Sequence, residues 1–263
     1  MPNLIVTTSY HPSTELIQEA RTLAQQLQVE YIERAEHSIS SLRSEDSAIP
    51  VLIVRRDRLV CDVAGCVFFF HPSLAKQRIV GLRRGEVDPM VKAMELQPGE
   101  RVLDCTLGLG ADAIVASHCV GSEGQVIGVE NVPVIAAIVA RGLGEFCSDL
   151  RLLNDAMRKV QVICMDHLDF LRTQLAQSFD VVYFDPMFTT PLYQSRPLLP
   201  LRKLADHQPL QPKTVAEAIR VARHRVVVKS KRGSTLLQEL GITSCQSGSR
   251  SRVEFGVIAL EQR

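Results

Sequence analysis

The sequence predicts an α/β protein in which a mostly parallel sheet, with an antiparallel last strand, follows a small α+β domain. Three patterns predict this fold. From residue 102 onward apolar runs alternate with helical patterns, two apolar runs close the chain with only a turn between them, and several short apolar runs occupy the first 72 residues. Strands joined through helices run parallel with right-handed crossovers, and the closing pair adds one antiparallel edge strand.

The chain has 263 residues, which is long enough for two domains. We expect an N-terminal α+β domain at residues 1–72 and a second domain at residues 73–263. Hydrophobic residues make up 46% and charged residues 22%, as in ordinary globular proteins, so a disordered chain is not expected.

No uncharged apolar stretch reaches the length of about 18 residues that a membrane helix needs, and residues 1–4 lack the basic region of a signal peptide. We therefore expect a cytoplasmic protein with no membrane partner. The seven cysteines are scattered and are never spaced as Cys-x-x-Cys, so the sequence predicts neither a disulfide framework nor a metal site.

The N-terminal domain begins with a predicted strand at residues 4–8. A helix follows, capped by Ser13 or Thr14, because apolar residues recur at helical spacing from Leu16 to Leu27. Three short β-rich runs then predict strands at residues 51–54, 59–63 and 66–70.

The second domain opens with a helical pattern over residues 73–94 that is interrupted at Gly81 and Gly85. The alternation that follows is typical of repeated strand–helix–strand units. Strands are predicted at residues 102–105, 126–130, 160–164, 181–184, 225–229, 243–247 and 253–260, and helices at 112–119, 134–146, 168–177, 213–223 and 234–240.

A glycine loop after the first of these strands predicts a nucleotide-cofactor site. Asp104 closes the strand, Gly108 and Gly110 form the loop, and a helix opens at Ala111. Glycine adopts positive φ and lets the backbone approach a ligand closely, while the helix start presents unpaired N–H groups.

Acidic residues follow four of the predicted parallel strands, namely Asp104, Glu130, Asp166 and Asp185. Ligands of such sheets bind beyond the carboxyl ends of the strands. Glu130 lies 22 positions after Gly108, where an acid can accept hydrogen bonds from both ribose hydroxyls of an adenosine.

Two cofactor classes fit the glycine loop. Residues 108–113 match G-x-G-x-x-A, so a dinucleotide-dependent dehydrogenase remains open. The surrounding acids favour S-adenosylmethionine, because they suit its ammonium group and adenine amine and would repel a pyrophosphate.

The segment Asp185-Pro186-Met187-Phe188 is similar to the Asp/Asn-Pro-Pro-aromatic motif of amino-directed methyltransferases. Asp185 and the Pro186 carbonyl would accept hydrogen bonds from an exocyclic amine and favour the positive charge that develops on it during transfer. Phe188 would stack on a base held out of its helix. The alternative is a turn with a buried aromatic residue.

Residues 78–188 resemble the YhiQ-type (RsmJ-like) family of small-subunit ribosomal RNA guanine-N2 methyltransferases. The resemblance rests on Arg83-Arg84-Gly85-Glu86, on residues 104–112, on the D-P-M-F segment, and on Val226-Val227-Val228-Lys229. It implies a Rossmann-like class I methyltransferase sheet and S-adenosylmethionine as cofactor.

The predicted cofactor-binding residues combine the glycine loop with positions that the resemblance implies. From the loop come Asp104, Gly108 and Gly110; the family implies contacts at Ala111, Asp112, Glu130, Asn131, Asp166, His167 and Asp185. The chain departs from the family at Ala111, commonly arginine there, and at Asp166-His167, often two serines. The first 70 or so residues show no resemblance.

Together these patterns predict an N-methyltransferase acting on the exocyclic N2 of a guanine in small-subunit ribosomal RNA. Asp185, Pro186 and Phe188 are its expected catalytic residues, and ribosomal RNA or the small ribosomal subunit its partner. A methyltransferase of a protein or small-molecule amine stays open.

Two further features have two interpretations each. Clustered basic residues at 55–58, 76–84 and 220–232 are either an RNA footprint or solvated faces. Lys229 either neutralises a substrate phosphate or is a surface lysine at a strand end.

Overall fold

The computed structural model describes residues 4–43, 49–187, 204–205, 208–248 and 251–260. They form two compact units. Residues 4–43, 49–71, 132–146 and 204–205 belong to the first, and the other described residues to the second.

The described strands are β1 (Ile5–Thr8), β2 (Glu30–Tyr31), β3 (Val51–Val54), β4 (Leu59–Val63), β5 (Cys66–Phe69), β6 (Arg101–Asp104), β7 (Gln125–Glu130), β8 (Val160–Cys164), β9 (Phe179–Phe184), β10 (Ala222–Lys231), β11 (Cys245–Gln246) and β12 (Val253–Ala259). The described helices are α1 (Thr14–Leu27), α2 (Ile39–Leu42), α3 (Ser73–Arg83), α4 (Pro89–Met94), α5 (Ala111–Val120), α6 (Pro133–Glu145), α7 (Arg151–Lys159), α8 (His167–Thr173), α9 (Pro212–Val221) and α10 (Leu236–Glu239). All of these helices are too short or too polar to cross a membrane.

The first unit contains a five-stranded sheet in the order β2-β1-β3-β4-β5. Strands β2, β1 and β3 are parallel, and β4 and β5 extend the sheet as antiparallel members. Helix α6 also belongs to this unit, although it follows β7 in the chain. Its Gly142 lies against Phe70 so closely that a Cβ would come 2.1 Å from the ring, so a larger residue there would displace the helix.

The second unit contains a seven-stranded sheet in the order β11-β12-β10-β9-β6-β7-β8. Strands β6, β7, β8, β9 and β10 all run parallel to one another. Strand β12 is antiparallel to both of its neighbours, β10 and β11. The predicted α/β class, with a mostly parallel sheet and an antiparallel last strand, is confirmed.

The expected edge position of the antiparallel strand is wrong. Seven residues of β12 pair along β10, and the two-residue β11 covers its outer side. A terminal strand pair predicts that two strands meet, but not which of them enters the sheet. The longer strand enters because it forms more hydrogen bonds along β10.

The centre of this sheet is apolar on both faces, and this fixes the strand ends that carry the acids. All six residues of β9 are buried, as expected for a parallel strand covered on both sides. Leu103, Phe184 and Val226, from three neighbouring strands, lie in one hydrophobic cluster. The carboxyl ends of β6 and β9 are therefore held side by side.

Four elements differ from the sequence prediction. Helix α7 was not expected, although Leu153, Ala156 and Met157 form a buried helical stripe. Helix α8 ends at Thr173 rather than at residue 177, because Gln174 is extended and Gln177 has φ +53°. Elements β2 and α2 contain two and four residues, too few for a periodic signal.

Candidate active site

The carboxylates of Asp104 and Asp185 meet where β6 and β9 end. Thr106 joins them: its backbone N–H donates to Asp104 Oδ1 (3.0 Å), and its Oγ1 accepts from the Asp185 backbone N–H (2.6 Å). The register of the two paired strands places Asp104 opposite Tyr183, two residues before Asp185. Sheet pairing therefore brings together two acids that lie 81 positions apart in the chain.

The glycine loop leads from β6 into α5. Gly108 and Gly110 have φ values of +49° and +75°, and α5 begins at Ala111 without a side-chain cap. The Gly108 N–H donates to Glu130 Oε2 (3.1 Å), which ties the loop to the end of β7. Gly128 allows this approach, since a Cβ there would come 2.4 Å from the Leu107 side chain.

Asp112, in the first turn of α5, is the most strongly paired acid of the site. It forms an ion pair with Arg78, and its Oδ2 accepts from the Tyr183 hydroxyl (2.8 Å) and from Lys229 Nζ (3.4 Å). Burial alone would raise the pKa of Asp112, but the positive charges of Lys229 and Arg78 hold it well below its usual range. This carboxylate stays ionised.

Arg78 was grouped with an exposed basic cluster, and that grouping is wrong. Its Nε and Nη2 donate to Asp88 Oδ2 (2.7 Å) and Oδ1 (2.9 Å), and Asp88 in turn caps α4 through the N–H groups of Met90 and Val91. Arg78 lies three residues after the buried Ala75 on α3, a helical spacing that could have indicated an inward position.

Lys229 lies inside the acidic site, so its interpretation as a surface lysine is wrong. Its Nζ donates to Asp185 Oδ2 (2.7 Å) as well as to Asp112. Burial would lower the pKa of Lys229, but the charges of Asp112 and Asp185 raise it above its ordinary value. Lys229 is therefore a permanent cation. Burial raises the pKa of Asp185 to about 6 against the attraction of Lys229.

Asp104 carries an unsatisfied acceptor. The residue is 2% exposed, and its Oδ2 has no hydrogen-bond partner among the described residues. Burial and the neighbouring charge of Asp112 raise its pKa to about 8. A buried carboxyl oxygen without a partner, protonated or ionised, is unfavourable unless a ligand supplies one.

The arrangement fits S-adenosylmethionine. The orphan oxygen of Asp104 would attract a positively charged group, and the negative charges near it would repel a diphosphate. Glu130 already contacts the glycine loop, where the adenosine of the cofactor is expected. The residues present thus suit a cationic thioether donor.

Four of the other predicted residues are described, and each follows a strand of the sheet. Asn131 follows β7. Asp166 caps α8 by accepting from the N–H groups of Leu168 (2.8 Å) and Asp169 (3.1 Å), and His167 packs edge-on against Phe184 at 5.9 Å between ring centroids. Pro186 directly follows Asp185, and Phe188 lies outside the described residues.

Binding of S-adenosylmethionine at pH 7 is expected to release about one proton from Asp104. With a pKa of about 8, Asp104 is mostly protonated at this pH, and a cation beside it would favour the ionised form. Cofactor affinity should therefore increase with pH up to about 8 and then level off. Calorimetric titrations in two buffers of different ionisation enthalpy measure the released proton.

An Asp104→Asn variant should abolish this buffer dependence, and an Asp166→Asn variant should keep it. Identical binding enthalpies of the unmodified protein in the two buffers would contradict the assignment.

Comparison with known families agrees with this geometry. Residues 22–256 match the family described as "Putative SAM-dependent methyltransferase". The crystal structure of the SAM-dependent methyltransferase NGO1261 from Neisseria gonorrhoeae has the same fold, with a TM-score of 0.67, 19% identity, and coverage of 97% of this chain and 95% of that one.

Two relatives are similar in sequence. The uncharacterized protein YpiP of Bacillus subtilis is 37% identical over 255 residues, covering 97% of this chain and 98% of the relative. Ribosomal RNA small subunit methyltransferase J of Coxiella burnetii is 31% identical over 193 residues, covering 72% of each chain.

Proposed function

This chain belongs to the family of S-adenosylmethionine-dependent methyltransferases, and we propose that it methylates the exocyclic N2 of a guanine in small-subunit ribosomal RNA. The observation that carries the proposal is Asp185, an acid on the rim of the cofactor site whose backbone is fixed by Thr106 and whose carboxylate is held by Lys229. The relative from Coxiella burnetii is a ribosomal RNA small subunit methyltransferase by name.

Asp185 would hold the acceptor amine. Above its pKa of about 6 the carboxylate is ionised, so it can accept a hydrogen bond from the amine, together with the Pro186 carbonyl. A fixed negative charge also stabilises the positive charge that develops on the attacking nitrogen. Bound S-adenosylmethionine would supply a methyl group activated by its sulfonium.

Lys229 has a positioning part in this proposal. Its ammonium fixes one oxygen of Asp185 and is itself held by Asp112. Since Lys229 remains protonated, it is unsuited to accept the proton that the amine loses, which leaves the carboxylate or solvent for that role. Catalysis would consist mainly of alignment of the amine with the methyl group.

The adenosine part of the cofactor would be held by Glu130, Asn131, Asp166 and His167. Its amino-acid part would lie along Gly108, Gly110, Ala111 and Asp104.

Replacement of Glu130 by alanine is expected to weaken cofactor binding by about 10-fold to 100-fold, because it removes charged hydrogen bonds to the ribose. Isothermal titration with S-adenosylmethionine measures the change.

A Glu130→Gln variant should lose less affinity, because its amide oxygen can still accept from the Gly108 N–H. Unchanged affinity of the alanine variant would remove the ribose role of Glu130.

A ribosomal substrate would place the reaction in the cytoplasm, where small subunits assemble. We further propose that residues 73–263 carry the reaction and that residues 1–72 form an accessory domain. The sequence carries basic clusters in both ranges, which suits a polyanionic partner.

Mass mapping of ribosomal RNA tests the function. Cells lacking this protein should lose one methyl group on one guanine of small-subunit RNA, and the purified protein should restore it with labelled S-adenosylmethionine. A second experiment incubates the protein and labelled S-adenosylmethionine either with small subunits or with an RNA-depleted lysate. Label found only in protein or in small molecules would overturn the RNA substrate.

A further inference from the structure

A buried arginine in the first unit has no anionic partner among the residues that the structure describes. Arg34, in the loop after β2, is 6% exposed, and its Nε is enclosed without a hydrogen-bond partner. Within the part of the chain that the structure describes, its contact is with the Tyr10 ring, whose centroid lies 4.2 Å from the guanidinium carbon. A buried N–H group of a guanidinium without a hydrogen-bond partner is unfavourable.

The second buried arginine of the same unit shows how such a charge is normally satisfied. Arg43 is also 6% exposed, but it forms an ion pair with Asp62. It donates as well to the backbone oxygens of Ile49 (2.8 Å) and Asp62 (3.0 Å). Among the described residues Arg34 has none of these interactions, and this points to a ligand as its partner.

Arg34 lies where a parallel sheet places its ligands. Strands β2, β1 and β3 are parallel, so their carboxyl ends share one edge, and Arg34 follows β2 there. Tyr10 follows β1, and its hydroxyl donates to the His37 carbonyl (3.2 Å), which joins the two loops. The exposed Arg55 and Arg56 follow β3 at the same edge.

A further polar group near this edge lacks a partner. The buried Thr7 hydroxyl, in the last but one position of β1, makes no hydrogen bond within the described residues. The hydroxyl of the next residue, Thr8, points to the opposite face of the sheet, because side chains alternate along a strand. A buried hydroxyl without a partner is unfavourable unless a polar group from outside the protein satisfies it.

The charge of the edge defines the ligand. Helix α1 has 14 residues and begins a few residues after Tyr10, so its first N–H groups add positive potential. The acids nearby, Glu15, Glu33 and Glu36, are exposed, and none forms an ion pair with Arg34. The site therefore suits an anion, and a guanidinium fork suits a phosphate.

We propose that Arg34 binds a phosphate group at the carboxyl ends of β1, β2 and β3, and that this group is a phosphodiester of the RNA substrate. The choice of RNA as the source rests on the proposed function, whereas the phosphate chemistry rests on Arg34 alone. Tyr10, which is 48% exposed, would offer a ring face to a nucleotide beside the bound phosphate.

Thermal unfolding of the full chain tests the phosphate. Inorganic phosphate should raise Tm relative to chloride at equal ionic strength, and an Arg34→Met variant should lose this rise. In chloride the variant should unfold at the same or a higher temperature, because it no longer buries an unpaired charge. An equal phosphate effect in both proteins, or a lower Tm of the variant in chloride, would overturn the site.

Fluorescence anisotropy with a single-stranded RNA oligonucleotide tests whether the bound phosphate belongs to RNA. Arg34→Met should weaken RNA binding by about tenfold. It should also reduce the slope of log affinity against log salt concentration by about the contribution of one phosphate contact. The matched control is Arg21→Gln, since Arg21 is exposed on α1 and stacks on Tyr31 at 5.4 Å, and its effect should stay below about twofold.

Loss of the phosphate effect without loss of RNA affinity would overturn the RNA source in favour of a free phosphate compound. Failure of the proposed function is distinguishable, because it would leave the phosphate-dependent Tm of the chain unchanged. Cofactor affinity should be the same in both proteins.

Discussion

An Asp185→Asn variant is expected to transfer methyl groups about 10³-fold more slowly than the unmodified protein, with nearly unchanged affinity for S-adenosylmethionine. Asparagine preserves the size of the side chain but removes the negative charge that supports the amine. Single-turnover assays with small subunits measure the rate, and calorimetry measures cofactor affinity.

The pH profile provides a second measurement on the same residue. The pKa of Asp185 is raised to about 6, so its carboxylate ionises as the pH increases through this value. Transfer by the unmodified protein should fall about tenfold per pH unit below about pH 6, and the residual activity of Asp185→Asn should lack this dependence. Equal losses of rate and cofactor affinity would reassign Asp185 to cofactor binding.

An Asp112→Asn variant is expected to lower the free energy of unfolding by about 3–5 kcal/mol, the usual effect of removing one partner from a buried ion pair. The substitution leaves Arg78 without one of its two carboxylates and leaves Lys229 with Asp185 alone. Urea unfolding at pH 7 measures the change.

The effect of Asp112 should depend on pH in a defined direction. Its pKa in the folded protein is depressed, so its stabilisation is present above the ordinary value of 3.8 and is lost as the pH falls below it. The two proteins should therefore converge in stability under acid conditions.

The matched control is Asp169→Asn. Asp169 pairs with Arg172 at 3.4 Å on the surface, where both side chains are more than half exposed, so its loss should change stability by less than about 1 kcal/mol. Equal effects of the two substitutions would show that the network of Asp112 contributes no special stability.

Local patterns predicted most elements of the fold. Strands β3, β4 and β8 have the predicted bounds, because each is a short run rich in β-branched and other apolar residues. Helix α7 was missed because its charged residues surround a narrow buried stripe. The placement of β12 inside the sheet was also missed, since strand order depends on pairing between distant segments.

In the candidate site, too, some features were predictable from local sequence and others depended on contacts between distant segments. Asp104, the glycine loop and Asp185 were predictable, because each stands directly after a strand and the carboxyl ends of parallel strands share one edge. The interaction of Asp112 with Arg78 and Lys229 was not predictable. Arg78 lies 34 positions before Asp112 in the chain, and Lys229 lies 117 positions after it. Only the packing of α3 against α5 and the position of β10 next to β9 in the sheet bring them together.

By itself, the sequence determined the fold class, the cofactor loop and the acids at the strand ends, because each depends on a residue and its near neighbours. The tertiary structure decided which charges are paired. It joined Lys229 to Asp185, and among the described residues it left one oxygen of Asp104 and the buried Nε of Arg34 without partners. Burial and ion pairing depend on residues that meet only after folding. They set the pKa values of the side chains and decide which polar atoms remain free to bind a ligand, and the chemistry of these sites depends on both.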